Sequence, residues 1–483
     1  MLLSHKNCCL KRRMMNNFSK IGFVLATLGS SIGLGHIWRF PYMAGENGGG
    51  AFVIFYLILA ILIGASMLMA EMLLGNKARS NPLDNFTILN NLNKLPPNTP
   101  IQDHNTTDSK SGSSLMWLGF STIAAPLILS FYAVVMGWIM YYLFYVSFHL
   151  PTNINEADVI FNEITSHSLL WQSVCFFGVI AITGIIVGFG VKRGIESLNL
   201  ILMPLLFIIF VGLLVYAMNL PEFSKAWAFM FHFEPSNITT KTIIESLGQV
   251  FFSLSLGVGT IAVYAASAKQ NENLFQSSVW VVVSGIVVSL VAGLMIFTFI
   301  YHFKGVPSDG VGLLFKSLPL AFNALGSSGA IISMFFFVAV LFAGITSTVS
   351  MLEPGVSILR DKCGFSQIKA TFVLSLAILV LGFLVILWAN AEMELPLIFG
   401  QPLFGVLDSI TSSFLMPIGM LIILTFVGWK IRANHLRAWT PYLPQWLFVG
   451  WLWILRIVAP AIILIVLASK YFDIVGFING LLA

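Results

Sequence analysis

The sequence predicts an all-α polytopic membrane protein with eleven transmembrane helices, and three observations carry the prediction. Only 9% of the residues are charged and 58% are hydrophobic, whereas a soluble chain carries about 25% charged residues. Eleven apolar runs, near 20–43, 50–75, 116–147, 168–190, 197–218, 242–268, 277–303, 329–360, 368–390, 403–428 and 446–470, follow one another along the chain; crossing a bilayer takes about 20 residues. Runs of this length argue against a β-barrel, whose strands would be about ten residues of alternating polarity.

The elements lie in order along a single membrane domain, 1–483. Residues 1–19 form a basic tail containing Lys6, Lys11, Arg12 and Arg13. The first apolar run is full length and no small-residue cleavage site follows it, so it reads as a span rather than a signal peptide. With the tail in the cytoplasm, eighteen Lys and Arg residues fall in inner segments and five in outer ones: Lys225, Lys241, Lys304, Lys316 and Lys470. This is the positive-inside bias, and eleven spans then place the C-terminus outside the cell membrane. The net charge of +5 follows from that asymmetry, so the implied partner is the lipid bilayer and not a nucleic acid. Residues 20–218 hold five spans and a polar segment, 76–115, that includes "NNLNKLPPNTPIQDHNTTDSKSGSS". Its Asn, Pro, Ser and Thr content predicts a mobile cytoplasmic loop, where the Asn105-Thr106-Thr107 sequon would be idle. Residues 242–428 hold five more spans, and 446–470 an eleventh, peripheral helix. Cys8, Cys9, Cys175 and Cys363 have neither metal nor disulfide spacing; Cys8 and Cys9 are either lipidation sites or bystanders. No His, Asp and Glu cluster has nucleophile or metal spacing, which argues against an enzyme.

Two spans carry the same interruption. Residues 31–35 read S-I-G-L-G in the first span, and 255–259 read S-L-G-V-G in the sixth. Glycine costs about 1 kcal/mol relative to alanine inside a helix, so each pair invites local unwinding. A lone pair would serve close helix packing. Matched copies at corresponding places in two five-helix halves point instead to a binding site at the repeat interface. Freed N–H groups and a half-helix N-terminus there suit a carboxylate, and freed carbonyls suit a small cation such as Na+.

The stretch "GSSIGLGHIWRFPYMAGENGGGAFVIFY" (29–56), with "GQVFFSLSLGVG" (248–259) and "FAGITSTVSMLEP" (342–354), closely resembles the signatures of the neurotransmitter:sodium symporter family. The resemblance runs in order from about 19 to 428. It implies two inverted five-helix repeats, with the first and sixth helices broken, and one peripheral helix here in place of the two frequent in the family. It also implies transport by alternating access, with amino acid or amine uptake coupled to sodium, often with chloride.

Carried over residue by residue, the resemblance implies a second sodium site from the carbonyls of Gly29, Ile32 and Ala343 and the hydroxyls of Thr346 and Ser347. The first sodium site departs from the family pattern. Asparagines are replaced by His36 and, on the seventh helix, by Gly285, leaving the Ser31 carbonyl, Ser253 and the substrate carboxylate. Protonated His36 could supply positive charge in place of that ion, or be a neutral packing residue. The family's chloride ligands correspond to Tyr56, Gln249, Ser253 and Ser289. Substrate contacts would be the main chain of Leu34 and Gly35, then Tyr132, Phe252, Ser253, Ser255 and Ser347, with Ile128, Val258 and Met351 around the side chain. Gly33 stands where amine carriers have Asp, which implies an α-amino acid. Val258 stands where a leucine carrier has Phe, which implies room for a bulky apolar or aromatic side chain. Arg39 and Asp408 would form the outer gate, with Phe252 and Tyr132 beneath. Asp361 matches the inner-gate acid, but Met14 and Asn17 stand where its Arg and Trp partners belong, leaving Arg12 or Arg13. Glu71, alone in the second span, is either functional or part of a buried network. An ion channel and a transport-dead sensor of the same fold are the alternatives.

Overall fold

The structure is a computed structural model that describes residues 18–97, 115–303, 312–393 and 395–469. The expectations for Cys8, Cys9, Arg12, Arg13, Met14, Asn17 and the Asn105 sequon lie outside the described residues. Among the described residues nine continuous helices are long and apolar enough to cross a membrane. They are Gly50–Ala78, Met116–Phe148, Leu169–Gly188, Val191–Met218, Leu274–His302, Gly326–Cys363, Gln367–Ala389, Leu403–Lys430 and Gln445–Ser469. The first span is a bent pair, Lys20–Ser31 and Gly35–Glu46, meeting at 54°. The sixth span is also in two pieces, Thr240–Ser253 and Thr260–Ala266. With the bent pair counted as one span, ten of the described spans are long and apolar enough to cross a membrane, and the two-piece sixth helix lies between the fifth and the seventh of the expected spans.

Side-chain caps explain where several helices begin. Ser19, Ser168, Thr239, Asn273 and Ser366 each accept a hydrogen bond from a backbone N–H of the first turn that follows, satisfying a donor that the helix itself leaves open. At its far end the eighth span stops at Gly364, whose φ of 68° is the left-handed conformation that closes a helix. The third span is the most enclosed: 78% of its apolar stretch is buried inside the molecule, against 28% for the eleventh, which sits at the periphery. It packs against the fourth and eighth spans, beside the two broken helices.

One expectation is corrected. Segment 76–115 is not uniformly a mobile loop. The second span runs on to Ala78, and after the Asn81 cap a helix, Pro82–Leu92, buries Phe86, Leu89 and Leu92. Their spacing of three puts them on one helical face, a signal that the surrounding asparagines obscured. Phe86 packs edge-on against Phe426 at 5.0 Å. Asn93 then donates to Lys430 O and accepts from Arg432 N, at 3.0 and 2.9 Å, so this helix is fastened to the end of the tenth span. Short helices at Ile154–Asn162, Phe223–Phe231 and Leu318–Ala324 fill connections between spans.

Candidate substrate and ion site

The two breaks face each other. The first helix ends at Ser31; Ile32 is extended (ψ 95°), and the chain resumes with a π-type turn over Gly35–Arg39. Gly33 is required by space, because a Cβ there would lie 2.6 Å from Ser347 Oγ and 3.1 Å from the Tyr132 hydroxyl. In the sixth span Ser255, Gly257 and Gly259 have φ of 51°, 82° and 80°. Glycine takes the left-handed region without steric cost. Ser255 does not, and its Oγ donates to Ser30 O at 3.2 Å, tying one break to the other.

Glu71 reaches the sixth-span break. Its side chain is fully buried and Oε2 accepts from Gly257 N at 2.9 Å. The second span thus supplies an acceptor for an N–H that the broken helix leaves open. Gly75 permits the approach, since a Cβ there would lie 1.8 Å from Ala262 O.

Around the breaks the predicted substrate residues gather. The Tyr132 hydroxyl accepts from Leu34 N at 3.4 Å. The Phe252 ring lies against Gly35, with 3.0 Å from Cδ1 to where a Cβ would be. Ile128 precedes Tyr132 by one turn and Met351 follows Ser347 by one turn, so each shares a helical face with its partner; Val258 lies inside the sixth-span break. All three are buried.

Four of the five second-sodium residues also meet. Ser347 Oγ lies 3.4 Å from Gly29 O and 3.1 Å from Ala343 O, and Thr346 Oγ1 lies 2.9 Å from Ala343 O. Neutral carbonyl and hydroxyl oxygens are the donors that a hard cation takes, so these residues fit a sodium ion.

At the first-sodium position His36 and Gly285 occupy the same space. A Cβ at Gly285 would lie 2.5 Å from His36 Nε2, so the imidazole fills the room that a larger residue on the seventh span would need. His36 is fully buried, and neither ring nitrogen has a hydrogen bond among the described residues. The Ser31 hydroxyl, also buried, has none either. Of the chloride candidates, the Tyr56 hydroxyl reaches Ser253 Oγ at 3.5 Å and lies beside the buried Ser289 hydroxyl. Gln249 instead spends an amide hydrogen on Gly35 O at 2.8 Å, bracing the first break.

The Arg39 guanidinium carbon sits 4.6 Å from the centroid of Phe252, within cation–π range. Glu245, Tyr42 and Asp408 all lie close enough for their charges to act on Arg39. Glu245 was not anticipated. It belongs to the outer end of the sixth span and lines, with Arg39, Tyr42, Glu46, Lys241 and Phe252, a cavity of ≈ 400 Å³. On the opposite side Asp361 accepts from Asn81 Nδ2 at 3.1 Å and lies 3.5 Å from Arg360 Nε.

Comparison with known proteins places this geometry. The sequence matches the sodium:neurotransmitter symporter family over residues 15–94 and 159–477. It is 32% identical to YhdH, an uncharacterized sodium-dependent transporter of Bacillus subtilis (strain 168), over 95% of this chain and 98% of that one. It is 24% identical to the sodium- and chloride-dependent GABA transporter ine of Drosophila melanogaster, over 77% of this chain and 43% of that one. The crystal structure of MhsT in complex with L-phenylalanine superposes with a TM-score of 0.81, at 32% identity, covering 94% of this chain and 99% of that one.

Proposed function

From the premise that the chain belongs to the sodium:neurotransmitter symporter family, a family of sodium-dependent membrane transporters and not of enzymes, we propose that it imports an apolar or aromatic α-amino acid together with sodium by alternating access. The observation that carries the substrate class is the crowding at Gly33. Gly33 places no carboxylate at the break to hold an amine, and a Cβ there would already lie 2.6 Å from Ser347 Oγ and 3.1 Å from the Tyr132 hydroxyl. What faces the break is backbone N–H and hydroxyl, which suit a carboxylate. MhsT, whose structure holds L-phenylalanine, supports a large side chain among Ile128, Val258 and Met351.

Sodium would be held by Gly29, Ile32, Ala343, Thr346 and Ser347. It would neutralise the carbonyl end of the inner half-helix and hold the first and eighth spans together. His36 would take the place of the first ion, with an imidazole N–H directed at the substrate carboxylate. Tyr56, Gln249, Ser253 and Ser289 would hold chloride, Gln249 through the amide hydrogen not given to Gly35 O, a role supported by the chloride dependence in the name of the Drosophila relative. Arg39 would close over Phe252 between Glu245 and Asp408, in a cell membrane with the N-terminus inside and the C-terminus outside.

The test is a competition screen of the twenty amino acids in proteoliposomes, with and without an inward sodium gradient. Accumulation that needs the gradient and is blocked best by bulky apolar or aromatic amino acids is expected. Binding without flux would make the protein a sensor, and currents far above carrier turnover would make it a channel.

A further inference from the structure

The fifth span, Val191–Met218, meets the inner half of the first through two polar side chains seated on two glycines. Glu196 Oε1 accepts from Ser19 N at 3.0 Å and from Ser19 Oγ at 2.5 Å. Gly22 makes room for it, since a Cβ there would lie 2.1 Å from Oε1. The contact repeats one turn further along at Asn199. A Cβ on Gly29 would lie 1.9 Å from Asn199 Oδ1 and 3.0 Å from Thr346 Cβ.

Asn199 is fully buried. Its Nδ2 donates to Ile195 O at 2.8 Å on its own helix, which fixes the amide and leaves Oδ1 pointing at Gly29. No donor bonds to that oxygen among the described residues. A buried amide oxygen without a partner is unfavourable and rare, and Gly29 and Thr346 both belong to the set proposed above for the second sodium ion. We propose that Asn199 Oδ1 is a further oxygen ligand of that ion, supplied by the fifth span. This rests on the sodium site proposed above.

The chemistry is that of the other ligands: a neutral, hard oxygen with a strong dipole, added without a formal charge. It extends the ion's grip to a third element. Sodium would then hold the first, fifth and eighth spans together at once, and leaving the site would require Asn199 to let go.

The test measures sodium binding and not flux: sodium-dependent protection of the purified full chain against thermal unfolding, without substrate. Four proteins are compared: wild type, Asn199→Leu, Asn199→Asp, and Thr346→Ala with Ser347→Ala. Leu and Asp both remove the bond to Ile195 O, but only Asp keeps an oxygen at the position. Asn199→Leu is expected to raise the half-saturating sodium concentration about tenfold, the scale of one lost hydrogen-bond-strength contact. Asn199→Asp is expected to bind sodium at least as well as wild type. If Asn199→Leu does not fold, Asn199→Ala takes its place with the same expected loss.

Unchanged sodium affinity in the Leu or Ala variant, beside a loss in the Thr346/Ser347 variant, would overturn the role of Asn199 and leave the site standing. Equal losses in the Leu and Asp variants would trace the effect to the bond with Ile195 and overturn it too. Sodium protection that survives the Thr346/Ser347 pair would instead overturn the site itself.

Discussion

At the scale of single residues the clearest prediction concerns His36 and Gly285. They fit only together, so Gly285→Asn alone overpacks the site against the imidazole and should cost roughly 1–3 kcal/mol of stability along with transport. His36→Asn in the same protein removes the ring. The pair should then recover stability in a thermal-unfolding assay and gain a second sodium ion per substrate, where the wild type should couple to one. A wild-type ratio of two would mean that histidine does not replace the ion. Arg39 offers a second test. Arg39→Ala, Glu245→Gln and Asp408→Asn should each impair uptake, and double-mutant cycles should show coupling of Arg39 to both acids; strict additivity with either acid would remove that acid from the gate. The motif residues were legible because their spacing is unusual. The partner of Glu71 and the places of Glu245 and Asn199 were not, because a lone polar residue in or beside an apolar run names no partner.

At the scale of elements both broken helices could be read from paired glycines, since nothing else relieves left-handed backbone so cheaply. What holds a break open could not. Gly257→Ala should be more damaging than its backbone strain alone, because the new methyl would sit 2.3 Å from Met416 O on the tenth span. Glu71→Leu should leave the Gly257 N–H buried without its acceptor, a loss of about 1–3 kcal/mol, and should weaken substrate binding before it unfolds the protein. Substrate affinity equal to wild type in a folded Glu71→Leu protein would show that the break needs no support from the second span. The helix at Pro82–Leu92 was missed for the opposite reason. The polar composition of the segment hides three apolar residues at helical spacing, Phe86, Leu89 and Leu92.

At the scale of the whole molecule, the all-helical membrane architecture followed from hydropathy, because a bilayer allows a chain few other solutions. The coupling of sodium to substrate is the central claim, and it depends on helices from both repeats meeting at one place: Gly29 and Ile32 from the first half, Ala343, Thr346 and Ser347 from the second. The measurement that tests it most directly is uptake of a labelled aromatic amino acid into proteoliposomes under an inward sodium gradient, for wild type and for the Thr346→Ala, Ser347→Ala protein. The account predicts gradient-dependent accumulation in the wild type and none in the folded variant, because the remaining carbonyls cannot offset the desolvation of the cation. Sodium-driven accumulation that persists in the variant would contradict it.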